Sequence, residues 1–300
     1  MNQDGLSQLS ERVYALLGSV NSAVVLNDAG EALLFDSGGD KDAGRRIRGA
    51  CERLGVRPVA VINSHAHADH YGGNDYLVRQ FGLRVYAPEI EASLMAAPYL
   101  EPVYLCGGAK PLPELLGKWL LAKPSPPDAL LGPGRLSLHG LEAGLLDTSG
   151  HAHRQLSLLV DGVLLAADAL FGASALARYP LPFGQDIGRQ IASAETLRGA
   201  AATVALPGHG DPETDLEALV DLNLAAFARA AAAVEAACEG CSADEVLARS
   251  CDALGVLMSD LPRYHLNRTV VAAYLSYLRE SGRVELRLEG NRLLWRRLGG

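Results

Sequence analysis

Three histidines and an aspartate stand within six residues, His65-Ala66-His67-Ala68-Asp69-His70, directly behind the apolar run Val59-Ala60-Val61-Ile62. A short apolar run of this kind reads as a buried strand, so the polar block starts where a strand ends. Crowding three imidazoles and a carboxylate together is costly unless a cation neutralises and orients them, and imidazole suits zinc, iron and manganese alike. A solvated polar loop is the plainer reading, but the pattern has a far lower false-positive risk than most short motifs.

The block alone cannot close a site for two ions, and the missing donors follow downstream. His151 comes after Thr148-Ser149-Gly150, Asp168 ends the run Leu164-Leu165-Ala166-Ala167, and His209 sits in Leu206-Pro207-Gly208-His209-Gly210. Each follows a strand-like stretch, where a rigid scaffold can aim a donor at a shared centre. Any one of them alone would read as an ordinary polar residue.

The rest of the chain supplies a scaffold of mixed type. Val24-Val25-Leu26 and Ala32-Leu33-Leu34-Phe35 flank the turn Asn27-Asp28-Ala29-Gly30 and predict a hairpin. Ile47, Cys51 and Leu54 recur with a helical period after Asp40, and helix and strand signals alternate again over Gly73 to Phe81 and Arg84 to Ala87. Eight of the fifteen prolines then fall between Pro98 and Pro133, which predicts an irregular insertion over about 96–134 that holds only short helices. Strand signals resume at Arg135 to Leu138, at Leu156 to Val160 with Val163 to Ala167 around Asp161-Gly162, and at Thr203 to Leu206. A long helix has one face at Leu216, Val220, Leu224, Phe227, Ala231 and Val234. Ser242 to Glu245 reads as a capping box, Leu266 to Leu278 as a further helix, and Val284 to Trp295 as a last hairpin.

With 300 residues, 49% of them apolar and 21% charged, the chain can bury a full core and is not disordered. No apolar run approaches the roughly 18 residues of a membrane span, and Met1-Asn2-Gln3-Asp4-Gly5 has no leader pattern, so the expectation is a cytoplasmic protein without a membrane partner. Five scattered cysteines do not form a disulfide framework. Cys238 and Cys241 have a C-x-x-C spacing, but no second pair follows them.

The ordered set of an Asp after an early strand (Asp36), the H-x-H-x-D-H block, a single His, an Asp and a final His resembles the metallo-β-lactamase superfamily over Leu33 to about Asp211. The resemblance implies an α+β fold, a four-layer αβ/βα sandwich with the site along one edge of two packed sheets. It implies that His65, His67 and His151 hold one ion, that Asp69, His70 and His209 hold a second, and that Asp168 bridges them. Asp36 would brace the ligand loop by hydrogen bonding. The expected cofactors are two divalent ions per chain, zinc first, with iron or manganese as alternatives. Such a pair, about 3.5–4 Å apart, lowers the pKa of a shared water and clamps a developing oxyanion. Asp69 could also orient that water or carry its proton, a catalytic role.

The bridging Asp places the pattern nearer the glyoxalase II-like and ribonuclease-like branches than the true β-lactamases. Relatives commonly carry Gly where Ala167 stands. After His151 this chain reads Ala152-His153-Arg154-Gln155, so His153 and Arg154 are candidate substrate contacts, with Tyr71 beside them.

The expected division is a catalytic domain over 1–212 and a C-terminal helical subdomain over 213–300. The latter looks winged-helix-like, resembling the appendage of lactamase-like endoribonucleases. From Leu261 to Gly300 it carries eight Arg against three Glu, although the whole chain has a net charge of -8. The leading reading is a hydrolase of a small ester, thioester or lactone. The alternatives are an endoribonuclease on single-stranded RNA that uses the basic hairpin, and a metal-bound ligand sensor without turnover. A small-molecule substrate is the first expected partner, RNA the second, and a homodimer contact through the insertion or the C-terminal segment a third.

Overall fold

The computed structural model describes residues 5–299, so residues 1–4, on which the reading about a leader rests, lie outside the described part. The first sheet is laid down in chain order. Strands β1 (Leu6–Gln8), β2 (Val13–Leu16), β3 (Ser22–Leu26) and β4 (Glu31–Phe35) form an antiparallel meander. The β3–β4 turn is held by Asn27, whose side-chain oxygen accepts from the amides of Ala29 and Glu31 at 3.0 and 2.8 Å.

Helix α1 (Lys41–Leu54) starts at Asp40, whose carboxylate caps the amides of Asp42 and Ala43, and stops at Gly55 with φ 67°. It leads into β5 (Arg57–Ile62), followed by α2 (Ala68–Tyr71), α3 (Asn74–Phe81) and β6 (Arg84–Pro88), with β4, β5 and β6 parallel. The chain continues through α4 (Glu89–Ala96) and α5 (Leu100–Leu105) to β7 (Ala129–Leu131), the seventh strand of the sheet.

The second sheet takes up β8 (Gly134–Leu138), β9 (Leu141–Asp147), β10 (Leu156–Val160) and β11 (Val163–Ala167). After α6 (Ala173–Arg178) and α7 (Ile187–Leu197) comes β12 (Val204–Pro207), giving the order β12-β11-β10-β9-β8 with only β11 and β12 parallel. At the β10–β11 turn Asp161 and Gly162 both have positive φ, 53° and 71°, the geometry that matches strand twist in a two-residue loop.

Side-chain alternation sorts the strands into layers. Val25, Leu33, Ile62, Leu158, Leu165 and Leu206 pack together between the sheets. The neighbouring Val24, Leu34 and Val61 turn outward onto Ile47 and Cys51 of α1 and Leu77 of α3. Leu164, Ala166 and Ala205 turn outward onto Ala194 and Leu197 of α7 and onto a further helix through Val220 and Phe227. Both faces of each sheet are therefore buried, which is why the strands read as continuous apolar runs. The architecture is the expected four-layer αβ/βα sandwich.

That further helix is α8 (Leu216–Ala237). Its first half covers the second sheet, while Ala230, Ala231 and Val234 join a separate core with Val246, Leu247, Tyr274, Leu278 and Trp295. These come from α9 (Ala243–Leu254), α10 (Leu261–Glu280) and the strands β14 (Val284–Glu289) and β15 (Arg292–Arg297), which pair with β13 (Glu239–Cys241) in the order β13-β15-β14. The capping box at Ser242 and Glu245 is present in both directions. Helix α10 begins five residues before the expected Leu266, because Asp260 caps the amide of Arg263 and Pro262 fits the first turn.

The insertion is a packed body. It holds α5, a 3-10 turn over Pro113–Leu116 and β7, and it buries Leu105, Leu115 and Leu120 against Leu266 of α10. Trp119 stays 72% exposed, with Lys118 over its ring. Among the described residues no helix is long and apolar enough to cross a membrane.

Candidate metal centre

The segments that follow β4, β5, β9, β11 and β12 meet at one edge of the sandwich and carry Asp36, the His65 to His70 block, His151, Asp168 and His209 in turn. The two sheets are tied there by the Leu156 amide, which donates to the Ser64 carbonyl at 3.1 Å. The last segment is held by Asn21, whose side-chain amide donates to the carbonyls of Pro207 and Gly210 at 2.9 and 2.7 Å.

Four of the five imidazoles are each oriented by a partner that fixes a hydrogen on Nδ1. His151 Nδ1 donates to the Phe183 carbonyl at 3.1 Å, His209 Nδ1 to the Ser19 carbonyl at 2.6 Å, and His70 Nδ1 to Asp36 Oδ2 at 2.8 Å. Ser64 Oγ gives its own hydrogen to Asp36 Oδ2 at 2.7 Å, so it accepts from His65 Nδ1 at 2.9 Å. In these four rings Nε2 faces inward, where it could coordinate an ion. His67 is reversed: its Nδ1 lies 3.0 Å from His65 Nε2 and 2.8 Å from His151 Nε2. Three ring nitrogens thus converge with at most one hydrogen among them, an arrangement that a cation relieves.

The donors fall into three groups whose atoms lie within 4.8 Å of one another: His65, His67 and His151; His65, His70 and Asp168; Asp69, His70 and His209. Asp168 is the hub. Its oxygens stand 3.3 Å from His70 Nε2, 3.2 Å from His151 Nε2 and 3.3 Å from His209 Nε2. His70 Nε2 and Asp168 Oδ1, 3.3 Å apart, are both sealed from solvent and neither makes a hydrogen bond of good geometry. Buried orphans of this kind call for a partner, and nitrogen and oxygen donors at these positions fit a pair of divalent ions.

The electrostatics divide the donors: three rings are held neutral, while against the effect of burial Asp168 and the neighbouring carboxylates raise His70 and His209. Burial, reinforced by neighbouring imidazoles, pushes His65 and His67 well below the ordinary imidazole value, and burial also lowers His151, so these three rings are neutral donors. Burial opposes charge on His209 too, but Asp168 and Asp69 outweigh it and lift His209 to about 9. Burial likewise works against ionised Asp168, yet His209, His70 and His151 hold it well below the carboxylate range.

The other predicted residues lie apart from this convergence. Tyr71 is buried in the core beneath the outer face of the first sheet. His153 and Arg154 are exposed on the segment after His151. The C-x-x-C thiols are buried and donate to backbone carbonyls, Cys238 to Val234 and Cys241 to Ala237, each at 3.2 Å. Burial pushes Cys238 up to about 12, so it is an inert thiol.

Sequence reasoning missed Glu91, in the first turn of α4. Its buried carboxylate accepts from the amides of Ala66 at 2.9 Å and Arg154 at 3.0 Å, joining the two segments that carry His67 and His151. No motif marks it, because the partners are backbone amides far off in sequence. Glu91→Gln turns an NH2 group toward one of those amides. It is expected to weaken metal binding about 10–100-fold, read by competition with a chromophoric chelator.

Ala167 takes φ 46°, a left-handed conformation that favours glycine, just before Asp168. Ala167→Gly is therefore expected to raise stability by about 1 kcal/mol in urea unfolding, against the usual cost of glycine.

The match to known proteins is consistent with this geometry. Residues 16–209 match the family model of the metallo-beta-lactamase superfamily. A probable metallo-hydrolase YqgX of Bacillus subtilis is 28% identical over 197 residues, covering 64% of this chain and 86% of that protein. A hydroxyacylglutathione hydrolase of Anaeromyxobacter dehalogenans is 30% identical over 156 residues, covering 52% of this chain and 48% of that protein. The crystal structure of a metallo-beta-lactamase family protein from Thermus thermophilus superposes with a TM-score of 0.71 at 22% identity, over 98% of this chain and 99% of that one. The family match and the likeness to a probable metallo-hydrolase mark the chain as a metallo-hydrolase. The chain belongs to the metallo-beta-lactamase superfamily.

Proposed function

We propose that this chain is a binuclear hydrolase of a small ester, thioester or lactone. The observation that carries the reading is the position of Asp168 between two donor groups, within 3.3 Å of imidazoles from both. In this reading His65 and His151 through Nε2 and His67 through Nδ1 hold one ion, Asp69, His70 and His209 hold the other, and Asp168 serves both. Zinc suits the set. When bound, two such ions lower the pKa of water and offset the negative charge that develops on a carbonyl oxygen.

The remaining chemistry belongs to the chain. Asp36 accepts from His70 and from both the hydroxyl and the amide of Ser64, so the ligand loop is rigid before substrate arrives. Asp69 is the most exposed donor, with 32% of its side chain accessible. Its carboxylate is placed on the solvent side to take a hydrogen from water or pass one to the leaving group. The rings of Phe183, 5.2 Å from His67, and Phe171, 5.7 Å from His151, wall the centre with apolar surface and exclude bulk water. The hydroxyacylglutathione hydrolase likeness favours a thioester among the three classes, although the segment after Asp168, Ala169-Leu170-Phe171-Gly172, supplies no cation for an anionic carrier.

The test is elemental analysis of protein purified without added metal, beside His67→Ala, with hydrolysis of 4-nitrophenyl butanoate followed in both. Two equivalents per chain, reduced in the variant together with hydrolysis, is the expected result. One tightly held ion, even after reconstitution, would overturn the binuclear reading.

A further inference from the structure

Strand β14 is the last of its sheet, with β15 on one side and, among the described residues, no strand on the other. Which of its backbone groups are open follows from the register. The Leu298 amide donates to the Arg283 carbonyl at 2.9 Å, and Val284 to Glu289 pair in step with Arg297 to Arg292. Hydrogen-bonding direction alternates along an antiparallel pair, so Arg283, Glu285, Arg287 and Glu289 aim their main-chain groups at β15. The amides and carbonyls of Val284, Leu286 and Leu288 therefore point to the open edge, a template for a further strand.

The side chains select which strand that is. Alternation puts Arg283, Glu285, Arg287 and Glu289 on one face and Val284, Leu286 and Leu288 on the other. When a second β14 is laid antiparallel on the edge about a two-fold axis at Leu286, Glu285 stands opposite Arg287 of the other copy, and Arg283 opposite Glu289. Every charge on that face then meets its opposite. Within one strand Arg287 Nη2 already lies 2.9 Å from Glu285 Oε1, so in the pair each of these carboxylates has one guanidinium beside it and one across. Moving the axis by one residue, to Glu285 or Arg287, sets like charge against like, which is destabilising.

The apolar face fits the same register, with Leu286 against its own copy and Leu288 against Val284. Leu288 is 75% exposed, whereas Val284 is 2% exposed. Beside Val284 an open cleft of about 600 Å³ separates β14 from the last turns of α10, lined by Ser276, Arg279, Glu280, Val284, Leu286 and Trp295. Leu288 of one copy is thus brought to the cleft of the other.

We propose that two copies of this chain associate edge to edge through β14, joining their three-stranded sheets into one of six strands. The occupant of the edge is a second copy because the alternating charges of β14 are complementary to β14 itself, the condition a two-fold contact requires. Two short strands and two leucines make a small interface, so association is expected at about 10–100 µM.

Sedimentation velocity of the metal-loaded protein from about 1 to 500 µM reads this directly. A shift from 31.7 kDa toward twice that mass with rising concentration is expected. Glu285→Arg and Arg287→Glu each put like charges across the axis and are expected to weaken association about tenfold. A mixture of the two single variants regains opposite charges at both positions and is expected to dimerise as the unaltered protein does. Single variants that associate normally, or a mixture of folded variants that stays monomeric, would overturn the proposal. Hydrogen exchange on the unaltered protein needs no variant: the Leu286 and Leu288 amides are expected to slow with concentration. A monomer at every concentration, or a dimer in which those two amides exchange as in the monomer, would also overturn it.

Discussion

Asp168→Asn is expected to lower kcat/KM on 4-nitrophenyl butanoate on the order of a thousandfold, with at least one of two metal equivalents lost. The size of the effect follows from position. The Asp168 side chain is only 4% exposed and stands within 3.3 Å of three Nε2 atoms. An amide of the same shape removes the one negative charge at the hub and turns an NH2 toward those nitrogens. The measurement is elemental analysis with steady-state kinetics on one preparation. Full activity with two bound ions in the variant would show that Asp168 is not shared between them.

The second large effect is on stability. Gly150 has φ 134°, a conformation that side chains rarely adopt, and a Cβ there would lie 2.3 Å from the Gln190 amide nitrogen and 2.4 Å from its Cα. Its carbonyl also accepts from the amides of Gln185 and Asp186 at 2.8 and 2.9 Å, which brings the start of α7 onto the segment that carries His151. Gly150→Ala therefore forces backbone against backbone and is expected to cost on the order of 3–5 kcal/mol in urea unfolding. Gly199, where a Cβ would meet only the Thr196 carbonyl at 3.7 Å, is the control, and Gly199→Ala should change little.

The candidate donors that converge at the sheet edge were legible in the sequence because metal chemistry restricts both residue type and position. Each of His65, His67, Asp69, His70, His151, Asp168 and His209 had to follow a strand, and the strands are buried on both faces, so their apolar runs stand out. The capping box at Ser242 and the turns at Asn27 and Asp161 were legible for a similar reason, since local hydrogen bonding selects the residue. Strand β9 was not, because Glu142 and Gly144 break its apolar pattern and its register is set by β8 and β10. Helix α7 was missed because Gly188 and Ser193 weaken its apolar face, while its place is set by the Gly150 crossing. Glu91 and Asn21 were hidden for a further reason. Each acts on main-chain groups, which leave no signature at the positions they hold. The insertion was recognised by its prolines, but not its packing on α10, since a small apolar cluster such as Leu105, Leu115 and Leu120 gains meaning only once Leu266 is beside it.

The bond from His209 to the Ser19 carbonyl joins residues 190 apart in the chain. During synthesis the Ser19 segment leaves the ribosome about 10–40 s before His209 does. For most of that interval the His65 to His70 block and its brace Asp36 are already made, yet the donor set is completed only when His209 follows. An ion caught then would meet an incomplete donor set and so be held with less discrimination, since selectivity comes from geometry more than from raw affinity. The distant closure at Ser19 postpones accurate metal choice until the chain has been made through Gly210.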